Sequence, residues 1–194
     1  MATAARVRDQ HTTGVARAAW PRLACAAALP RPLDGSGRGF AVVRRIHHPW
    51  TDLFDLVLDL ERYPAFVPHC RAVKLYSRAA GGGGRTVIVS RMTVGAAGFD
   101  VSYANRTIGD AAARRIEVEA LDGPLTHLHV VWTFEPDGED STRVGFFVDY
   151  QFSNPVLGAV AARAFDAMSA DMLGAFQRRA DRLFAGTRRA FERH

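Results

Sequence analysis

The residues that could do chemistry in this chain are few, and their spacing gives them little to work with. His127 and His129 stand at alternate positions, which puts them on one face of a strand, where such a pair can hold a metal ion. No carboxylate or cysteine lies beside them at ligand spacing, and they point away from the expected core on the face opposite Leu128, Val130, Trp132 and Phe134, so they read as solvated surface histidines. His47 and His48 read as a strand exit and a helix cap. No Ser-His-Asp order and no paired-carboxylate arrangement stands out. The glycine run Gly81 to Gly84 lacks the following Lys-Ser/Thr of a phosphate-binding loop and joins two extended segments, which makes it a hairpin tip. Tyr103, Asn105 and Tyr150 fall on inward faces and carry groups that can hydrogen-bond a carbonyl, although a backbone or water partner would satisfy them equally well. Catalysis has no positive support, and the expectation is a protein that is not an enzyme.

The elements that would position these groups follow from periodicity. Phe40 to Ile46 is expected to form a first strand, and His48-Pro49 to start a short helix with proline at its tolerated first position. Trp50, Leu53, Phe54 and Val57 recur at helical spacing, and the helix is expected to end before Pro64. After Pro68 the period changes to two. Strands are expected over 73–77, 86–94, 99–108, 115–120, 126–134 and 143–152, with turn chemistry at Gly81 to Gly84, Gly95 to Gly98, Gly109-Asp110 and Pro136-Asp137-Gly138. Short links between successive strands imply an antiparallel meander. Leu128, Val130, Trp132 and Phe134 share one face, as do Val144, Phe146, Val148, Tyr150 and Phe152, with Asp149 and Gln151 directed outward. The dry face needs a cover. A terminal helix capped by Asn154 and opened by Pro155 supplies it, through an apolar stripe of Leu157, Val160, Ala161, Phe165, Met168, Met172, Phe176 and Leu183.

Composition bounds the rest. The chain of 194 residues is 48% hydrophobic and 23% charged, which suits one domain with a substantial core. Residues 1–38 mix alanine and arginine with Pro21, Pro30, Pro32, Gly35 and Gly37, show no apolar period and read as a disordered or loosely attached leader. The domain is then expected over 39–186, followed by a basic tail over 187–194. The apolar run from Ala18 to Leu29 is interrupted by Pro21 and Arg22 and is too short to span a bilayer. Of the net charge of +5, Arg6, Arg8, Arg17, Arg22, Arg31 and Arg38 against Asp9 and Asp34 supply +4. The near-neutral remainder argues against a nucleic-acid partner. Arg178, Arg179, Arg182, Arg188, Arg189 and Arg193 against Asp181 and Glu192 leave the C-terminal end basic, an arrangement that could orient the domain on anionic lipid. Only Cys25 and Cys70 are present, so a disulfide framework is not expected and a reducing compartment is.

The order of strand, short helix, meander and long terminal helix is that of an α+β helix-grip fold, an antiparallel β-sheet wrapped around a C-terminal helix. Asp59, Tyr63, Pro64, Phe66, Pro68 and Cys70 resemble the Asp-x-x-x-Tyr-Pro-x-Phe-x-Pro-x-Cys signature of START-like proteins in the coenzyme Q-binding and ribosome-association-toxin group. The segments 121–134 and 147–152 agree, and His69 stands where many relatives carry tryptophan. The resemblance implies an internal cavity, ubiquinone or another isoprenoid or apolar molecule as bound ligand, no separate cofactor, and a carrier role in respiration and quinone biosynthesis. A ribosome-association toxin and an aromatic polyketide cyclase are the alternatives within the same superfamily.

Under that resemblance Tyr63 and Phe66 would form a lid or a rigid corner. Met92, Phe99, Val101, Leu128 and Val130 would line the pocket from one side of the sheet, joined by Val148. Met168, Met172 and Phe176 would close it from the helix, with Tyr103 and Tyr150 as polar groups inside. The expected setting is cytoplasmic, peripheral on a bacterial inner membrane, or mitochondrial in a eukaryote, and a homodimer is left open.

Overall fold

The alternation that marks each strand is realised in seven of them, wrapped about the terminal helix. The structure is a computed structural model and describes residues 38–96 and 99–191; the leader and the extreme C-terminus lie outside it. In chain order come β1 (Arg38–Ile46), α1 (Trp50–Leu58), a 3₁₀ helix (Leu60–Ala65), β2 (Cys70–Gly81), β3 (Arg85–Ala96), β4 (Phe99–Asp110), β5 (Arg115–Asp122), β6 (Leu125–Pro136), β7 (Thr142–Phe152) and α2 (Pro155–Phe191). One antiparallel sheet runs β1-β7-β6-β5-β4-β3-β2, so the expected meander is present and the first strand closes onto the last. Register shifts in β2, in the β4–β5 pair and in the β5-proximal end of β6 bend the strands, and such bulges increase local twist and curl the sheet. The chain carries the seven-stranded antiparallel sheet and C-terminal helix of the helix-grip fold.

Several local expectations shift by a few residues for physical reasons. Pro49 caps α1 rather than opening it, and the helix begins at Trp50. The chain also stays helical through Pro64, because a 3₁₀ turn is held by bonds such as Arg62 N–H to Asp59 O and Phe66 N–H to Tyr63 O, none of which needs the nitrogen of proline. Gly109-Asp110 remains in β4, and the turn falls on 111–114, where Asp110 Oδ1 accepts from Ala113 N–H at 2.9 Å. Gly109 is needed for close approach instead: a Cβ there would lie 2.9 Å from Leu58 Cδ1 and 3.3 Å from the Phe54 ring, so its absence lets α1 lie on the sheet. Gly123, at φ +110°, likewise allows the β5–β6 turn to press on Tyr103, whose Cβ would be 2.8 Å from any side chain placed there.

α2 is capped as expected, Asn154 Oδ1 accepting from Val156 N–H at 2.8 Å, and its 37 residues give a rod of about 55 Å that continues past residue 186 to Phe191. Phe165, Met168, Met172 and Phe176 face the sheet and are buried. Leu183 does not belong to the stripe: it is 47% exposed, and the buried line continues through Ala180 to Phe184, which packs against His48. The side chains of Leu157, Val160 and Ala161 lie outside the described residues. His48 is buried and donates from Nε2 to Asp181 Oδ1 at 2.8 Å, tying the start of α1 to α2, while its carbonyl accepts from Thr142 Oγ1 at 2.8 Å. It acts as a clasp between elements rather than as a side-chain cap.

The outer face of the sheet departs from the simple alternation. Asp149 does point away from α2, yet it is buried, with His127 Nε2 3.4 Å from its Oδ2. Val131 and Phe147 on the same face are buried as well. The run Phe146-Phe147-Val148 is apolar at consecutive positions, which is the pattern of a strand dry on both sides. His129 packs its ring on Phe147 and is half-buried, and this burial lowers its pKa; it is embedded rather than solvated, while the His127 side chain stays 34% exposed. No group of three potential ligands that could hold a metal is found among the described residues.

Candidate functional site

Between the concave face of the sheet and α2 lies a partly enclosed void with room of about 60 Å³ for the centres of water-sized molecules, inside roughly 630 Å³ of atom-free space that includes its opening to solvent. The smaller figure measures what is internal, and it falls well short of the ~300–1,000 Å³ of typical ligand pockets. It exceeds the ~10–15 Å³ that a single water needs. A guest larger than a few waters must widen the void by moving its walls.

The walls come from four places. Val57, Leu60 and Tyr63 reach in from α1 and the 3₁₀ helix. Met92, Tyr103, Asn105 and Thr107 come from β3 and β4, with Ile116 and Val118 from β5. Leu128, Val130, Trp132, Phe146 and Val148 belong to β6 and β7, while Phe165, Met168, Ser169 and Met172 belong to α2. Three of these are methionines, whose unbranched side chains re-pack at low cost. Among the described residues, no charged side chain lines the void.

Of the residues singled out from the sequence, Tyr63, Met92, Tyr103, Leu128, Val130 and Val148 meet at this void, together with Met168 and Met172. Five others, Phe66 among them, do not line it or are not described. Val101 is buried but packs elsewhere in the core. Tyr150 is turned aside, its hydroxyl donating to Asp166 Oδ1 at 2.8 Å. The Phe99 side chain lies outside the described residues. Phe176 serves as a packing centre, its ring 5.3 Å from Tyr63, 5.0 Å from Phe66 and 4.9 Å from Trp132.

Phe66 packs against Phe176 and Arg179 of α2 without lining the void. Tyr63 is both corner and wall, because its hydroxyl donates to Val57 O at 2.6 Å while its ring packs on Phe176. The residues missed are instructive. Ile116 and Val118 carry the alternation of β5, and Thr107 continues the parity of Tyr103 and Asn105, so both signals were present in the pattern. Ser169 had none, since a serine beside Met168 reads as the edge of an apolar stripe.

Most polar atoms at the void are already committed. Ser90 Oγ donates to Asn105 Oδ1 at 2.9 Å, and Tyr103 Oη to Met92 Sδ at 3.3 Å. Burial raises the pKa of the Tyr103 phenol, with a smaller contribution from Cys70, so it is held neutral.

Cys70 is itself pushed up to about 11 by burial. A thiol raised in the folded state adds stability that is complete below its unfolded pKa and is lost as the pH climbs toward the folded one. A Cys25→Ser chain, with Cys70 as its single thiol, should thus react with a thiol reagent far more slowly when folded than in denaturant. Its stability should fall between about pH 9 and 11, and the part of that decline below about pH 10, where the buried tyrosines do not yet contribute, should be absent after Cys70→Ala. Equal labelling of the folded and unfolded chain would show that Cys70 is accessible.

This geometry, an apolar void between a curled antiparallel sheet and a long C-terminal helix, defines the class of protein. The family described as polyketide cyclase / dehydrase and lipid transport matches residues 46–177, and the chain belongs to it. Among its relatives is the ribosome association toxin RatA of Pseudomonas aeruginosa, 28% identical over 137 residues that cover 71% of this chain and 91% of the toxin. The mitochondrial coenzyme Q-binding protein COQ10 homolog B of Xenopus laevis is 27% identical over 161 residues, 80% of this chain and 64% of that protein. An 18 kDa protein of Caulobacter crescentus has the same fold at a TM-score of 0.62 and 29% identity, covering 76% of this chain and 99% of its own. The Zhui aromatase/cyclase of a Streptomyces species, at 20% identity, TM-score 0.61 and coverage of 75% and 94%, shares the fold.

Proposed function

We propose that this protein binds an apolar small molecule of the isoprenoid quinone class between its sheet and α2 and carries it without transforming it. The observation that carries the reading is the void between sheet and α2, lined among the described residues by no charged side chain and by three methionines, where an apolar guest is largely shielded from water. Burial of apolar surface drives such binding at roughly 25 cal/mol per Å², reduced by the cost of widening the void and ordering the guest. The coenzyme Q-binding relative supports the choice of guest. A carrier rather than a cyclase is supported by the state of the tyrosines: Tyr103 is a committed, neutral phenol and Tyr150 is bonded to Asp166 away from the void, so neither is poised to exchange protons with a guest. Mass spectrometry of an organic extract of the purified native protein tests this directly. An isoprenoid quinone near stoichiometric amounts is expected, and an extract free of any apolar compound overturns the reading.

The toxin relatives favour a second reading, association with the ribosome. The two readings separate on a sucrose gradient, where a ribosome-associated protein migrates with ribosomal particles at physiological salt and a lipid carrier stays at the top.

Contact with a membrane surface fits the carrier. No described helix is long and apolar enough to cross a bilayer, and the basic end of α2 offers Arg182 to solvent beside Arg178, which pairs with Asp171. Binding to vesicles containing anionic lipid should exceed binding to neutral ones and should shrink at high salt, since each surface arginine contributes on the order of 1 kcal/mol near such a membrane. Equal binding to both vesicle types would remove membrane contact from the proposal.

A further inference from the structure

Two hydroxyl groups at the void have no hydrogen-bond partner. Thr107 Oγ1 on β4 and Ser169 Oγ on α2 are buried, each residue being 1% exposed, and both residues line the same space, one from the sheet and one from the helix. Native structures rarely leave a buried polar group unpaired, and a pair of them facing one void is rarer still. Each had an internal alternative. A serine in mid-helix ordinarily bonds back to the carbonyl one turn earlier, which Ser169 does not do. Thr107 stands two positions from Asn105, whose Oδ1 is satisfied by Ser90, yet no such partner is provided for Thr107.

Resting on the reading of the void as a ligand site, we propose that Thr107 and Ser169 are a polar clamp that selects a neutral, oxygen-bearing guest. Its apolar body fills the void, and its carbonyl or hydroxyl oxygens reach the two walls. A hydroxyl can donate to a carbonyl and, after rotating, accept from a phenol, so one clamp serves both the oxidised and the reduced form of a quinone. Acidic lipids are selected against. Among the described residues no cationic side chain lines the void, and a carboxylate taken into it would lose its hydration with no countercharge from them in return.

A matched pair of probes tests the clamp. Duroquinone and durene carry the same four methyl groups on a flat six-membered ring, and durene has two aromatic C–H groups where duroquinone has its two carbonyls. The full-length protein should bind duroquinone about tenfold more tightly than durene, and decanoate should compete with neither. Thr107→Val, which keeps the shape of the side chain, and Ser169→Ala should each weaken duroquinone binding several-fold and leave durene unchanged, while the thermal midpoint without ligand stays the same or rises because an unpaired hydroxyl has been removed. The clamp is overturned if both variants bind duroquinone as the parent does, if both probes weaken equally, or if the midpoint falls, which would mean that the hydroxyls have partners within the folded protein. Failure of the parent to bind either probe is a different result: it removes the ligand site itself.

Discussion

Replacing Phe176 by alanine should lower the unfolding free energy by about 3–5 kcal/mol, the range for deleting a buried aromatic ring. The ring is the point at which three elements meet. It touches Tyr63 and Phe66 from the corner after α1 and Trp132 from β6, in edge-on arrangements that add to the burial itself. Removing it leaves a cavity that the corner cannot collapse into, because Tyr63 is held by its bond to Val57 O and Arg179 lies over the Phe66 ring. Urea unfolding with an unchanged slope would measure the loss. A cost below about 1 kcal/mol would mean that α2 is not anchored at this cluster.

Enlarging Val148 to phenylalanine should have the opposite balance, a small effect on the free protein and a large one on its guest. Val148 lies in β7 opposite Phe40 and Val130 and borders the void. In a filled core the added ring would force neighbours out of their rotamers at about 1–3 kcal/mol. Here it can enter space that is already open, so a cost under about 1 kcal/mol is expected, together with loss of duroquinone binding by more than about tenfold as the guest and the ring compete for one volume. Denaturant midpoints and a binding titration on the same samples check both halves. Severe destabilisation with unaltered binding would place the guest elsewhere on the protein.

The two substitutions separate what could be read from the chain and what could not. The strands were legible because a half-buried strand must alternate, and Leu128, Val130, Trp132 and Phe134 keep one face apolar, with only Val131 breaking the polar positions between them. The terminal helix was legible because Asn154-Pro155 begins it and Phe165, Met168, Met172 and Phe176 recur at the spacing of a single face. Turn positions were less secure wherever glycine serves close approach instead of a bend. Gly109 was read as a turn and proves to be the seat of α1, since a sequence does not say which neighbour a missing Cβ makes room for.

The candidate site divides along the same line. Sequence by itself determined which residues point inward, because side-chain direction in a strand or helix is set by local geometry. Tertiary structure alone decided which of those inward residues face a void and which face one another. Val101 and Val148 carry the same local signal, yet only Val148 borders open space. Thr107 and Ser169 are far apart in the chain and come to line one void only because the sheet and α2 pack against each other. Periodicity is a property of consecutive residues. A void is a property of the distance between two surfaces, and it is fixed only when the sheet and the helix have packed.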